Sequence, residues 1–88
     1  MMKKVERIKS RLGVLIDVGS ILRSPQHEYN PKAYIVRRIF INDKWQHQGE
    51  VIVSSFQGDR RNIINYRIDS LEWYVFNQSW EVKIANAD

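Results

Sequence analysis

The residues best suited to bond-making chemistry are few in this chain. Among its 88 residues there are two histidines, His27 and His47, and no cysteine. That composition excludes disulfides, thiolate metal ligands and a cysteine nucleophile. The histidines stand twenty positions apart, and neither has a second histidine one helical turn away, so no metal-binding spacing is present. His27 precedes Glu28 in a proline-flanked stretch, and His47 lies between two glutamines beside a turn; both positions suit solvated side chains. Ser54 and Ser55 lack a neighbouring glycine elbow, and threonine is absent. Asp17, Glu28, Asp43, Glu50 and Asp59 fall mostly at turns and form no carboxylate pair in an apolar run. No glycine-rich loop leads into a helix to cradle a phosphate. The least weak enzymatic reading is a small ribonuclease, with His47 acting beside Arg60 or Arg61 as phosphate clamp. Catalysis is not the expectation, and neither a metal nor a cofactor is expected.

Adhesive chemistry is better represented. Cations and aromatic rings alternate at Arg37–Arg38–Ile39–Phe40, at Lys44–Trp45, and from Arg60–Arg61 to Tyr66–Arg67. Nucleic-acid binders need that combination, cations for phosphates and flat groups on which bases stack. The competing reading is structural: Phe40 and Tyr66 alternate like core residues, and arginines on strands solubilise sheet edges. Lys3, Lys4 and Arg7 add charge near the start of the chain. The net charge is +4 overall, made of +4 over residues 1–12, +3 over 13–68 and −3 over 69–88. Such a gradient favours a polyanion or acidic partner at the basic end, or head-to-tail self-association that includes a homodimer. Trp73, Tyr74, Phe76 and Trp80 crowd the acidic end, where an exposed ring would anchor a protein partner. The structural alternative is that Trp73 and Trp80 close the bottom of the core.

These side chains must be positioned by short elements. Val5, Ile8 and Leu12 recur at spacings of three and four, which predicts a basic amphipathic helix over residues 1–12, stopped by Gly13. From Val14 the pattern turns to strands, with Gly19 dividing the run 14–23 in two. A loop spans Ser24–Pro25 to Asn30–Pro31, followed by a strand over 33–41 rich in Ile, Val, Tyr and Phe. Strands at 50–56 and 62–68 joined through Gly58–Asp59 predict a hairpin. Residues 69–77 are ambiguous: Asp69 and Glu72 match a helical capping box, whereas Trp73 to Phe76 favour a strand. The expectation is a tight turn at 68–71 and then a strand. Trp80, Val82 and Ile84 alternate with polar residues and predict a last, half-buried strand.

The result is one domain over 1–88, mainly β with a short N-terminal helix, its residues 14–85 forming a small barrel of five or six antiparallel strands. The order of elements is similar to an SH3-like barrel, with an oligonucleotide-binding-fold barrel or an α+β arrangement as alternatives. No apolar run approaches the length of a membrane span, and no signal peptide is evident, so a cytoplasmic location without a membrane partner is expected. The functional expectation is a non-catalytic module that contacts nucleic acid through Arg37, Arg38, Lys44, Trp45, Arg60 and Arg61. The alternative is an adaptor or inhibitor docking on a larger assembly through its aromatics.

Overall fold

The computed structural model describes residues 2–25, 32–42, 44, 49–55 and 63–85. In chain order they form β1 (Met2–Val5), β2 (Arg7–Lys9), β3 (Leu15–Asp17), β4 (Ile21–Ser24), β5 (Lys32–Asn42), β6 (Glu50–Ser55), β7 (Ile63–Arg67), α1 (Ile68–Asn77) and β8 (Glu81–Lys83). The fold is mainly β, all described pairings are antiparallel, and strands and helix share one buried core.

The eleven-residue β5 organises the sheet, whose order is β7-β6-β5-β4-β8 with β1 also on β5. One edge of β5 pairs with β6. The other edge takes β4 along Lys32–Ile35 and β1 along Ile39–Asn42. The strand changes neighbours at Val36, where Gly19 donates to the Val36 carbonyl at 2.8 Å and the Val36 amide donates to Ser20 at 2.9 Å. Gly19 makes that close approach at φ +94°, a conformation side chains disfavour, and a Cβ there would stand 3.0 Å from the Ala85 Cβ. The division of 14–23 at Gly19 and the hairpin of β6 and β7 are therefore observed as the sequence predicts.

The N-terminal helix over 1–12 is not formed. Residues 2–5 pair with β5, and Arg7–Lys9 pair with β3 in a separate two-stranded sheet. A lone ten-residue helix is marginal, whereas the open edge of β5 satisfies backbone groups directly. Arg7, Ile8 and Lys9 are exposed, buried and exposed, which is the strand period, and Leu12 is 67% exposed at the hairpin tip. Gly13 ends no helix; at φ +94° it turns β2 into β3, with Ser10 accepting from the amides of Gly13 and, through Oγ, Val14.

Residues 68–77 are also unlike the expectation of a turn and strand: they form α1. Ile68 and Leu71 are buried, Val75 packs beside them, and this three-and-four spacing outweighs the β-preference of Trp73–Phe76. The predicted capping box is absent as such. Arg67 occupies the cap position without a side-chain cap bond, and the buried Glu72 carboxylate instead accepts from the Leu12 amide at 2.8 Å, fastening the β2–β3 tip to the helix.

No described pairing joins the edge strands β7 and β8, so the described strands do not close into a barrel. The α1 helix crosses from one edge to the other, and aromatic rings accompany it. Trp80 stacks on Tyr74 at 4.8 Å and on Tyr34 at 6.0 Å, while Tyr66 meets Trp80 edge-on at 5.7 Å. These rings come from β5, β7, α1 and the approach to β8, so ring packing links elements that backbone hydrogen bonds leave apart.

Candidate nucleic-acid interface

Strand register determines which side chains share a face, because directly paired residues point the same way and neighbours alternate. Val36, Ile39, Val51 and Val53 point into the core. The opposite face of the same sheet follows from the pairings Lys4–Phe40, Phe40–Glu50–Arg67, Arg38–Ile52–Asn65, Ile35–Ser54–Ile63, Lys83–Ile21–Ile35 and Glu81–Arg23. Lys4, Arg23, Arg38, Arg67 and Lys83 thus share one solvent-facing surface, joined by the exposed Arg37, against the two carboxylates Glu50 and Glu81.

Arg37 reaches this surface through an irregularity. Val36 pairs with Val53 and Arg38 with Ile52, so Arg37 is an extra residue in β5 and both arginines oppose Ile52. A regular strand sends consecutive side chains to opposite faces; the bulge leaves both arginines exposed, while Val36 and Ile39 remain in the core. Ser54, itself buried, accepts from Arg37 Nε at 2.9 Å. Arg37, Arg38, Ile52, Ser54 and Ile63 line an open depression on this face.

The other predicted contact residues are distributed differently. Lys3 pairs with Ile41 and so points away from the surface that carries Lys4. Arg7 belongs to the smaller sheet and holds the buried Asp17 at 3.0 Å. Lys44 is exposed just beyond β5, its amide donating to Asn42 Oδ1 at 2.9 Å. Trp45, Arg60 and Arg61, like His27 and His47, lie outside the described residues. Arg23 and Lys83 join the surface although the sequence did not single them out, and Arg67, noted only as the end of the Arg60–Tyr66 alternation, joins it too. Their signal was the alternation of Arg23 with Leu22, Arg67 with Tyr66 and Lys83 with Val82, unusable without the register. Arg67 also pairs with Asp69 at 2.8 Å, which offsets part of its charge.

The four aromatics proposed for a protein interface separate. Trp80 is buried and Tyr74 half-buried in the ring cluster; Trp73 and Phe76 are exposed beside Leu12, with Arg11 and Asp69 at the rim. Tyr66 sits among the buried rings, and burial first, then the adjacent Tyr34 and Tyr74 hydroxyls, push its phenol well above the usual tyrosine value.

Asp17 is the most enclosed acidic group described, and its partners are structural. Its carboxylate accepts from the Ser20 hydroxyl, the Ala85 amide and Arg7. Among the described residues no group of three or more His, Asp or Glu side chains is placed to hold a metal ion, and no described helix is long and apolar enough to cross a membrane. The fold and its surface define a small mainly-β domain with one cationic sheet face. No protein-family model, curated protein or solved structure matches the chain.

Proposed function

We propose that this chain is a non-catalytic binding module, built on an SH3-like chain path, whose outer sheet face contacts nucleic acid. The observation that carries the reading is the segregation of Lys4, Arg23, Arg37, Arg38, Arg67 and Lys83 onto one face where, among the described residues, they outnumber the carboxylates Glu50 and Glu81 and the Asp69 that pairs with Arg67. Cations gathered on one rigid face neutralise adjacent phosphates and release their counterions, whereas cations scattered over a surface do not. The helical crossing before the last strand supports the SH3-like path, a scaffold that by itself implies no particular ligand.

The test is a fluorescence-anisotropy titration with labelled single- and double-stranded DNA and RNA across a salt series. Contact with four phosphates gives a slope of log affinity against log salt of about −3 to −4. Absence of binding to every one of these probes at low salt refutes the proposal. A second reading rests on the exposure of Trp73 and Phe76 together beside Leu12, and has a partner protein docking there. Under that reading, binding survives salt and nuclease treatment and is lost in W73S/F76S.

A further inference from the structure

We infer that the depression between Arg37 and Arg38 is a clamp for one unpaired nucleotide of a single-stranded nucleic acid, with Ser54 as its positioning residue. The inference deepens the proposed function and rests on it. Two observations lead to it. First, the β5 bulge leaves two consecutive arginines exposed and lining the same depression, whereas a regular strand sends consecutive side chains to opposite faces. Second, one of the two is preorganised. The bond from Arg37 Nε to Ser54 Oγ fixes the plane of that guanidinium, and its two Nη groups have no partner among the described residues. A planar fork held in this way presents paired donors to two oxygens of one phosphate at a reduced ordering cost.

The remaining walls indicate the kind of strand. Ile63 is 66% exposed and Ile52 half-buried, and both border the depression. A duplex offers phosphate and sugar at its exterior and leaves those apolar groups in water. An unpaired segment also offers the face of a base, which covers the isoleucines and lies against the exposed Arg38 guanidinium plane. Arg37 accordingly takes the phosphate and Arg38 with Ile52 and Ile63 takes the base. Oligothymidylate and oligouridylate share these groups and serve as the two single-strand probes.

The experiment compares anisotropy titrations of the full chain with a labelled 15-mer of each type and with a 15-base-pair duplex. The wild type is expected to bind both single strands at least about fivefold tighter than the duplex. R37Q is expected to weaken single-strand binding about tenfold and to make the salt slope shallower by about 0.7, one phosphate contact. K83Q, which removes equal charge from the same face away from the depression, is expected to cost less than about threefold. S54A is expected to weaken binding about threefold with an unchanged salt slope, and to add nothing in an R37Q background, because Ser54 acts through Arg37. R37K, a solvent-exposed exchange that keeps the charge, is expected to match S54A, so the comparison holds even if S54A is poorly folded. Equal losses in R37Q and K83Q, an S54A effect that persists in R37Q, or equal affinity for duplex and single strand each overturn the clamp while leaving nucleic-acid binding intact. Absence of binding by the wild type overturns both.

Discussion

Replacing Asp17 tests how the fold that carries the basic face is held together. Its side chain is 2% exposed and gathers donors from three parts of the chain: Arg7 of β2 at 3.0 Å, the Ser20 hydroxyl in the β3–β4 turn, and the Ala85 amide beyond β8 at 3.1 Å. Its own backbone completes the turn, the Asp17 amide donating to Ser20 Oγ at 2.9 Å and the Asp17 carbonyl accepting from the Ser20 amide at 3.0 Å. In D17A the enclosed Ser20 hydroxyl loses its acceptor at about 1–3 kcal/mol, and the Ala85 amide, on an exposed residue, loses a bond worth about 0.5–1.5 kcal/mol. Arg7 is 46% exposed and returns to water, so its ion pair adds about 0–1 kcal/mol. D17A is therefore expected to cost about 2–5 kcal/mol, a large share of the stability of so small a domain. D17N keeps an uncharged acceptor at Oδ1 and is expected to cost about 1–2 kcal/mol, since charge-assisted bonds are roughly twice as strong as neutral ones. R7Q is expected to cost less than about 1 kcal/mol. Urea unfolding followed by tryptophan fluorescence measures all three, with Trp80 as the buried reporter. A D17A cost below about 1 kcal/mol, or equality of R7Q with D17A, refutes the assignment of the stability to the enclosed hydrogen bonds.

Two further predictions concern the core. G49A is expected to destabilise by about 3 kcal/mol or more, because overpacking here meets backbone that cannot swing aside. A Cβ at Gly49 would lie 2.3 Å from the Phe40 carbonyl oxygen and 2.8 Å from Ile68 Cδ1, and a melting temperature within a degree or two of wild type would show that this corner can open. The raised phenol of Tyr66 makes stability fall with alkali: the folded state retains a proton that the unfolded state loses above its ordinary value of 10.0. Stability from this group is complete below pH 10 and is lost progressively as pH rises beyond it. Urea midpoints between pH 9 and 12 are expected to decline less steeply in Y66F, and identical slopes for Y66F and wild type count against the buried-ring account.

Period-two alternation and glycine punctuation are local properties, and they made much of the sheet legible. Glycine 19, the strand around Val36, the β6–β7 hairpin and the alternation of Val82 with Glu81 and Lys83 could all be read along the chain. The N-terminal segment could not, because Val5 and Ile8 satisfy a helical spacing as well as they satisfy two separate strands. What decides between them is the unoccupied edge of β5, more than thirty residues away. Residues 73–76 misled for the opposite reason: their intrinsic preference is β, and the burial of Ile68 and Leu71 overrides it. The candidate surface was half visible. Arg37 and Arg38 stood out as a pair, but adding Arg23, Arg67 and Lys83 requires knowing which strands lie side by side. The exclusion of Lys3 and Arg7 has the same origin.

The bulge in β5 has a counting consequence. If residue 37 is passed over, Tyr34, Val36, Ile39 and Ile41 face inward and Ile35, Arg38 and Phe40 outward in unbroken alternation, matching the partners that β6 already provides. The hydrophobic interior therefore makes no demand for the thirty-seventh residue. A single-codon deletion there would heal the ladder and erase the twin guanidinium arrangement in one event, so architecture and adhesion are encoded separately at this point of the chain.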